Sequence, residues 1–468
     1  MPFILGANSL TGGYTVDNSL RFDDGSSDYL DKTYGSAGNR QIWTYSFWVK
    51  KTTNASTLTP LDASSDGNNR SLILFDSDNI RMVSLVSGSV TTNLITSAVY
   101  RDVSAWYHII VAFDSTQATA SNRVKFYVNG TQVTSFGTAT YPSLNQNEII
   151  NNNVKHSIGR DGFYTNQYLD GYMSEINFID GQALTPTDFG EFDEDSGIWK
   201  PIAYAGTYGT NGFYLETKDS GALGADTSGN ANNFTVNNLT AVDQSTDTPT
   251  NNFCTLNPLA SGVAIGGVAG TFTDGNLFFS GASAAWCATK GTFSVTQGKW
   301  YFEAKKTTNA NGTTVGASAV GIGYAELQNN LGNVNPVNDA SVYGNILMLH
   351  DNGWTTNFAT GTQWSPALAV DNGNIVGIAL DLDGNTYTFY VNGVSKNSGS
   401  LGGGYDSLGL TPCVYNYGGD TREFTCNFGS APYAIASGNA DANGFGNFEY
   451  SVPTGYYSLC TKNIAEFG

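Results

Sequence analysis

Phe126-Tyr-Val-Asn-Gly130 and Phe389-Tyr-Val-Asn-Gly393 are two copies of the same five residues, and each ends a strand-like stretch at an Asn-Gly pair. Asn-Gly between two strands is a strong signal for a two-residue β-hairpin, because both residues tolerate positive φ. Each copy also follows an apolar segment that ends in aspartate, at Asp114 and at Asp381. The copies lie 263 residues apart (389 − 126), far beyond the period of a solenoid repeat. The repeat therefore predicts two large β domains of similar construction.

The composition favours short strands and tight turns. The chain has 468 residues, of which 13% are aromatic and 13% charged, and it contains 55 glycines. A single hydrophobic core does not usually grow to this length, so two or three domains are expected. Aromatic residues suit pleated surfaces and glycine supplies positive φ, whereas long solvated helices would need more charge. No window of 12 or more residues shows a convincing helical stripe.

The charge balance argues against nucleic acid and membrane partners. The chain carries 21 basic and 40 acidic residues, a net charge of −19. Such a surface repels phosphate backbones and anionic lipid. The negative charge favours solubility, and cation binding by clustered aspartates is the alternative. No apolar run is long enough to span a bilayer, so we expect no membrane insertion. Met1–Asn8 lacks a basic segment followed by an apolar run, so no secretory signal peptide is expected either.

Strand signals fall into two sets separated by a different texture. Residues 205–255 are rich in Gly, Asn and Thr and cannot form a core of their own. We therefore predict an all-β protein with antiparallel two-sheet domains at 1–204 and 256–468, and an ordered, loop-rich linker at 205–255. The best strand candidates are Thr44–Lys50, Trp106–Phe113, Arg123–Val128, Gly171–Ile179, Gly298–Ala304, Ile375–Leu382, Thr386–Val391 and Glu423–Phe428.

The ordered series of segments resembles two known families. The first half resembles laminin-G-like, or concanavalin-A-like, jelly rolls in Trp43–Lys50, Trp106–Phe113, Val124–Gly130 and His156–Ile179. The second half resembles a SPRY domain in Gly298–Glu303, Val320–Tyr324, Asn374–Asp383, Thr388–Gly393 and Cys426–Gly429. SPRY domains are themselves concanavalin-A-like sandwiches, so the resemblance implies two jelly-roll β-sandwiches in tandem.

The tandem as a whole is similar to virion-associated proteins of tailed phages from marine bacteria, and the Asn-rich segments Asp226–Phe234 and Asp247–Phe253 contribute to this likeness. The resemblance implies a protein made in the host cytoplasm and displayed on the particle exterior. It would be a capsid decoration, a head fibre or a tail-associated adhesin. Its partners would be other virion proteins and host-surface glycans, engaged through a homo-oligomer or multivalent display. A glycan depolymerase and a purely structural cement protein remain as alternatives.

Catalytic motifs are weak, and we predict a non-enzymatic protein without a cofactor. The three histidines, His108, His156 and His350, match no zinc-type pair, and no nucleophile elbow or phosphate loop is present. Some jelly rolls are β-glucanases, whose chemistry needs two carboxylates facing across a cleft. The nearest string, Glu191-Phe-Asp-Glu-Asp-Ser196, ends in serine where that family has its acid, and it is typical of a solvated loop.

Saccharide binding needs only an aromatic ring against the apolar face of a pyranose, with polar groups for its hydroxyls. In the second half the candidates are Tyr343, His350, Asp351, Trp354, Trp364, Tyr415 and Tyr417. In the first half the loop Asp161–Tyr168 supplies Tyr164, Asn166 and Tyr168. Core packing of the tryptophans and simple exposure of the loop tyrosines remain open alternatives.

The laminin-G-like resemblance also implies calcium as a possible ligand, held by loop carboxylates. The candidate ligands are Asp62, Asp66 and Asn69 in one loop, with Asp76 and Asp78 in another, and neither set has a diagnostic spacing.

One pair of cysteines is expected to face each other. A hairpin centred on Gly418–Asp420 would place Cys413 opposite Cys426. We expect both as reduced, buried thiols, with a cross-strand disulfide as the alternative.

Overall fold

The computed structural model describes residues 13–54, 56–260, 270–280, 286–307, 318–324, 346–350, 352–357, 361–401, 409–417 and 423–468. For residues 286–287, 324, 346, 350, 352–354, 356–357, 361–368, 417 and 423 it describes the backbone alone. The chain forms two compact units, here called the N-terminal unit (Leu10–Thr250) and the C-terminal unit (Asn251–Gly468). No helix in the described ranges is both long and apolar enough to cross a membrane.

The N-terminal unit consists of two antiparallel sheets and a short hairpin. The first sheet has the order β10 (Thr131–Gln132), β9 (Val124–Val128), β8 (Tyr107–Asp114), β3 (Ile42–Lys51), β13 (Gly171–Asp180), β1 (Ser19–Phe22) and β18 (Gln244–Ser245), with β16 (Phe213–Leu215) also beside β13. The second has the order β11 (Phe136–Thr140), β7 (Ser89–Thr96), β6 (Asn79–Val86), β5 (Asn69–Asp76), β4 (Thr57–Asp66), β12 (Lys155–Ile158), β2 (Tyr29–Thr33) and β17 (Thr235–Asn237). The hairpin is β14 (Gly190–Phe192) with β15 (Trp199–Pro201), and 3₁₀ turns occupy Ala120–Asn122, Pro186–Asp188 and Ala241–Asp243.

The core of the N-terminal unit follows from two-residue alternation. Trp43, Tyr45, Phe47 and Val49 all point to one side of β3 and are completely buried in a cluster with residues of the second sheet such as Phe75. The alternate residues of the second sheet face away from this core. Those residues define what we call the outer face, and it carries the candidate site.

Residues 205–250 belong to the N-terminal unit, where the sequence analysis placed a linker. They supply β16, β17 and β18, and the compact units divide at Thr250. Asp247 accepts hydrogen bonds from Lys50 Nζ (2.8 Å) and Trp106 Nε1 (3.0 Å), so a buried ion pair fixes the segment to the first sheet. The segment is rich in asparagine because its turns are stabilised by hydrogen bonds from side chains to backbone groups. Such turns do not need a hydrophobic core of their own.

The C-terminal unit repeats the two-sheet plan. One sheet has the order β19 (Thr271–Thr273), β20 (Phe278–Ser280), β31 (Glu423–Asn427), β22 (Lys299–Thr307), β27 (Ile375–Asp381), β28 (Thr386–Val391) and β29 (Val394–Ser400), with β32 (Tyr457–Ser458) parallel to β22. The other has the order β21 (Trp286–Lys290), β30 (Leu410–Tyr417), β23 (Ser318–Tyr324), β24 (Ile346–His350), β25 (Asn352–Asn357) and β26 (Gly361–Ala369). A 3₁₀ turn, Pro258–Ala260, and a short helix, α1 (Thr461–Phe467), complete the described elements.

The repeated pentapeptide makes the same pair of hydrogen bonds in both units, and we call this pair the latch. Asn129 and Asn392 have φ of 46° and 51° at the tips of the β9–β10 and β28–β29 turns. The side-chain oxygen of Asn129 accepts the N–H of His108 (2.8 Å), and the Asn129 N–H donates back to the His108 carbonyl (2.9 Å). Asn392 and Ile375 make the equivalent two bonds, both at 2.9 Å. The all-β, antiparallel two-sheet prediction is confirmed.

The predicted Cys413–Cys426 hairpin is wrong. β30 pairs with β21 and β23, whereas β31 pairs with β20 and β22, so the two cysteines belong to different sheets. A glycine-rich turn between two strand signals can equally be a crossover from one sheet to the other. The prediction of buried free thiols is confirmed for both residues, and burial raises the pKa of Cys413 to about 12.

Candidate functional site

The loop Asp161–Tyr168 leaves the end of β12 and is organised by the carboxylate of Asp161. Its Oδ1 accepts the backbone N–H groups of Phe163 (3.0 Å) and Tyr164 (2.9 Å). The Asp161 N–H donates to the Asn166 carbonyl at 3.0 Å, which closes the loop. These bonds hold the aromatic side chains of Phe163 and Tyr164 outward, with 40% and 54% of their surface exposed.

Tyr164 is held in a fixed orientation by Arg70. The guanidinium carbon of Arg70 lies 4.6 Å from the centroid of the Tyr164 ring, and Arg70 Nη1 is 3.0 Å from Asp161 Oδ2. Phe163 meets Tyr164 edge to face at 4.8 Å. We call Arg70, Phe163 and Tyr164 the Tyr164 platform. An exposed ring that is fixed in this way can pack against a sugar ring with little loss of side-chain entropy.

A second aromatic–arginine group lies at the other end of the loop. The guanidinium carbon of Arg160 is 3.4 Å from the centroid of Tyr29, and Tyr29 in turn lies 6.5 Å from Tyr168. Both tyrosines are half-buried, whereas Arg160 is only 6% exposed. We call Tyr29, Arg160 and Tyr168 the Arg160 group.

The loop rests on Asp62, which alternation directs to the outer face because Leu61 and Ala63 belong to the core. Asp62 pairs with Ser157 across β4 and β12, and both side chains lie beneath Gly162. A Cβ at Gly162 would lie 2.6 Å from both Asp62 Oδ1 and Ser157 Oγ, so a larger residue would displace the loop or one of these side chains. Asp62 Oδ1 accepts the Ser64 hydroxyl at 2.8 Å, while Oδ2 has no hydrogen-bond partner among the described residues. Burial raises the pKa of Asp62 to about 7.

The structure thus places the predicted loop residues in one site and adds others. Tyr164 forms the platform, Asn166 closes the loop through its carbonyl and is itself exposed, and Tyr168 joins the Arg160 group. Sequence analysis missed Arg70 and Arg160. Arg70 could have been assigned to the outer face by alternation along β5, but its contact with a residue 94 positions later (164 − 70) could not.

Most of the predicted calcium ligands bond to neighbouring protein groups. Asp66 Oδ1 accepts the N–H groups of Asn68 (2.8 Å) and Asn69 (2.9 Å), so it caps its own turn, while Asp62 lies buried beneath the loop. Asp76 pairs with Arg81 at 2.8 Å, and Asp78 pairs with Lys51 at 2.7 Å. In the described part of the chain, the carboxylates close enough to share an ion are instead Asp23, Asp24 and Asp170, with oxygens within 4.8 Å of one another.

Of the predicted site residues in the C-terminal unit, few have side chains that the structure describes. Tyr415 is completely buried, so its ring belongs to the scaffold and is not available to a ligand. Trp354 and Trp364 lie directly opposite each other in the β25–β26 pair. The side chains of His350, Trp354, Trp364 and Tyr417, and the whole of Tyr343 and Asp351, lie outside the described residues.

The acidic string at 191–196 forms a self-contained turn. Asp193 Oδ1 accepts the backbone N–H and the hydroxyl of Ser196, both at 2.9 Å, and these bonds lower the pKa of Asp193 to about 2. Lys200 lies 3.1 Å from Asp193 and 3.3 Å from Glu191. Both carboxylates are therefore occupied by neighbours in the hairpin.

The two described histidines have structural positions. His108 stacks on Trp48 with centroids 4.8 Å apart, accepts a hydrogen bond from Trp199 Nε1 at 2.9 Å and lies 2.8 Å from Ser46 Oγ. Burial lowers the pKa of His108 to about 3 and that of His156 to about 4. Both rings remain neutral at physiological pH and act as packing elements.

A separate cavity of about 360 Å³ lies on the N-terminal unit and is lined by Gly13, Tyr14, Thr15, Val16, Asp17, Glu175, Glu216 and Lys218. Its buried carboxyl, Glu175, accepts the Tyr214 hydroxyl on Oε1 (2.7 Å) and the Tyr14 hydroxyl on Oε2 (2.8 Å). Burial raises the pKa of Glu175 to about 7. Because both oxygens are occupied by tyrosines, this carboxyl is part of the scaffold.

Comparison with known proteins supports the fold of the N-terminal unit. Residues 24–188 match the family model Laminin_G_3, described as the concanavalin A-like lectin/glucanases superfamily. No curated protein matches the chain. The predicted concanavalin-A-like jelly roll is therefore confirmed for this region.

Similar solved structures share little sequence with the chain. They include the SPRY domain of human HERC1 (14% identity, 36% of this chain and 96% of that one, TM-score 0.29) and a putative carbohydrate binding protein from Bacteroides ovatus (15%, 48% and 59%, 0.32). A SAP-like pentraxin from Limulus polyphemus matches at 15% identity over 36% of this chain and 78% of that one, with a TM-score of 0.28. Likenesses at this level carry no argument about function. Over residues 24–188, the chain is similar to concanavalin-A-like lectin and glucanase domains.

Proposed function

We propose that the chain is a non-enzymatic binding protein that recognises host-surface saccharide through the Asp161–Tyr168 loop. The observation that carries this proposal is the Tyr164 platform, an exposed ring fixed between Arg70 and Phe163 on the outer face. Saccharide sites combine such a ring with a few placed polar groups. Here the guanidinium of Arg70 lies against the ring, and Asn166 is exposed on the same loop.

A binding role fits the carboxyl groups of the site better than hydrolysis does. The raised pKa of Asp62 is what a general acid would need, but its side chain is completely buried beneath Gly162. A general acid must approach the glycosidic oxygen within hydrogen-bond distance. Asp161 is committed to the loop N–H groups and to Arg70. We therefore favour binding over the depolymerase alternative.

We further propose that the protein is displayed on the exterior of a phage particle. The support is the resemblance of the tandem to virion-associated proteins of marine phages. Attachment to other virion proteins would present many copies, and multivalency would compensate for weak single sites. Immunogold labelling of intact particles is expected to place the protein on the head or tail surface. Labelling confined to disrupted particles would contradict exterior display.

The binding role is tested with Tyr164→Ala on a glycan array and on host cells. The expected result is a roughly 10- to 100-fold loss of binding, the usual effect of losing one aromatic contact worth about 1–3 kcal/mol. Phe192→Ala is the matched control, because Phe192 is equally exposed at 54% and lies on the separate β14–β15 hairpin. Equal effects of the two variants, or no saccharide binding by the wild type, would contradict the proposal.

The depolymerase alternative has its own measurement. We expect no release of reducing sugars from host polysaccharide over many hours. Sustained release by the wild type that Asp62→Asn abolishes would instead show that the site is catalytic.

A further inference from the structure

Arg160 is a buried cation with no counter-ion among the described residues. The residue is 6% exposed, its Nε has no hydrogen-bond acceptor among the described residues, and its guanidinium carbon lies 3.4 Å from the centroid of the Tyr29 ring. Other cations of the outer face are paired: Arg70 with Asp161 at 3.0 Å, Arg81 with Asp76 at 2.8 Å and Lys155 with Asp31 at 3.0 Å. Arg70 Nε also has no acceptor among the described residues, so Arg160 differs from these neighbours in lacking a carboxylate partner.

A buried Nε without an acceptor, as in Arg160, is costly to the folded protein. A buried charge is normally paired and hydrogen-bonded, because the energy of removing it from water is otherwise not recovered. Stacking on Tyr29 offsets part of that cost, but a ring face accepts no N–H···O bond. The fold thus presents a donor group that a ligand can satisfy.

The surroundings of Arg160 specify the ligand. A planar guanidinium fork matches a carboxylate bidentately, and Tyr29 and Tyr168 flank it with aromatic surface. Both tyrosines are half-buried, and the adjoining residues 163–167 are exposed, so the Arg160 group lies beside an exposed loop.

We propose that the Arg160 group binds the carboxylate of an acidic saccharide, so that the protein recognises uronic or sialic acid units. This inference rests on the proposed saccharide-binding function and specifies its ligand class. On a chain of net charge −19, an acidic ligand gains nothing from long-range attraction. Recognition would depend on direct contact with Arg160 within the site.

The test compares acidic saccharides with their methyl esters, which keep the sugar and remove the charge. Calorimetry would use oligomers of galacturonate, glucuronate and mannuronate, and N-acetylneuraminate, each beside its ester. At least one acid is expected to bind the wild type roughly 10-fold more tightly than its ester, as charge-assisted hydrogen bonds do. In Arg160→Gln the affinity for that acid should fall to about that of its ester, so the ratio of the two affinities is the readout.

The outcomes distinguish failure of the acidic-ligand inference from failure of the proposed saccharide-binding function. If each acid binds no better than its ester, or if Arg160→Gln keeps the preference, the acidic-ligand inference is wrong while saccharide binding stands. If no acidic or neutral saccharide binds, the proposed function fails and the inference fails with it. Tyr164→Ala should weaken acid and ester alike, since the platform is not selective for charge.

A stability measurement separates recognition from a purely structural role. Arg160→Leu removes an unpaired buried charge and keeps apolar contact with Tyr29, so its Tm should equal or exceed that of the wild type. Its preference for the acid should be lost. A fall in Tm of more than about 5 °C would show that Arg160 serves the fold and would overturn the proposal.

Discussion

Buried charges taken from the two units differ in how completely they are hydrogen-bonded. In the C-terminal unit, Glu303 is completely buried and accepts hydrogen bonds from the Tyr301 hydroxyl (3.1 Å), Asn427 Nδ2 (3.4 Å) and the N–H groups of Glu449 (2.9 Å) and Tyr450 (2.8 Å). In the N-terminal unit, Arg160 retains a nitrogen, and Asp62 an oxygen, without a partner among the described residues. A fully satisfied buried charge such as Glu303 serves as a structural clamp, whereas the unsatisfied Nε of Arg160, beside a surface loop, marks a place for a ligand.

Ion pairs within the N-terminal unit can be classified in the same way, by whether their buried charged groups have hydrogen-bond partners. Lys50 with Asp247 and Lys51 with Asp78 are buried at 2.8 Å and 2.7 Å, and each aspartate also bonds a second side chain, Trp106 and Arg101 respectively. These pairs attach segments to the sandwich and leave no group for a ligand. The contrast with the Arg160 group therefore holds inside one unit as well as between the two.

The largest expected effect comes from breaking the clamp. Glu303→Ala leaves four donors without their acceptor and should lower the free energy of unfolding of the C-terminal unit by about 3–5 kcal/mol. Urea denaturation with hydrogen-exchange mass spectrometry would locate the loss in β22 and in residues 449–450. Glu466→Ala, at an exposed position of α1, is the control and should change stability by less than about 0.5 kcal/mol. Equal effects of the two variants would mean that the clamp is unimportant.

The next effect concerns pH and Asp62. The pKa of Asp62 is about 7 in the folded state because burial disfavours the charged form, against 3.8 when unfolded. Between those values the native state holds the proton and the unfolded state does not, so stability falls as pH rises from about 4 to about 7. This difference in the pKa of Asp62 corresponds to a loss of at most about 4 kcal/mol in the free energy of unfolding.

Asp62→Asn should abolish this fall. Relative to the wild type, the variant should gain Tm between pH 4 and pH 8, measured by differential scanning calorimetry. His108 has a lowered pKa and makes stability rise with pH between about 3 and 6.5, but it is present in both proteins and cancels in the difference. A difference in Tm that stays constant with pH would show that Asp62 is ionised in the folded protein.

Much of the scaffold could be predicted from local patterns. The strand signal at Thr44–Lys50 predicted β3, and the Asn-Gly pairs predicted both turns. The Cys413–Cys426 register could not be predicted, because a turn signal does not say whether the next strand stays in the same sheet. The limit of the first domain was also missed, since β16–β18 are three residues long or shorter and join the sheets by pairing rather than by apolar content.

In the candidate site, the loop residues could be predicted from the local sequence, whereas their contacts with distant strands could not. Aromatic residues in the 161–168 loop predicted Tyr164, Asn166 and Tyr168 as candidates. Arg70, Tyr29 and Asp62 reach that loop from strands about 90 to 140 residues earlier, through sheet order that no local motif encodes. The unpaired state of Arg160 is visible only when its neighbours are known.

A smaller effect is expected where the loop contacts the sheet. Gly162→Ala places a Cβ about 2.6 Å from Asp62 Oδ1 and Ser157 Oγ, so the loop must shift, at about 1–3 kcal/mol. Saccharide binding should fall with it, because the Tyr164 platform and the Arg160 group flank this glycine. Gly35→Ala is the control, since a Cβ there meets nothing within 4 Å. Unchanged binding by Gly162→Ala in the glycan-array assay would contradict the placement of the site.

The smallest expected effect concerns the Asn-Gly turn, the feature that the two units share. Asn129→Gly and Asn392→Gly keep the positive φ of the turn but remove the side-chain acceptor for the N–H of His108 or Ile375. Each should cost its own unit about 1 kcal/mol, the net value of one hydrogen bond, and Asn→Asp should retain the stability because it keeps that oxygen. Hydrogen exchange at residues 108 and 375 measures the two latches separately. Equal costs would show that hairpin geometry alone accounts for the repeated pentapeptide, whereas a latch that mattered in one unit only would require another explanation for its second copy.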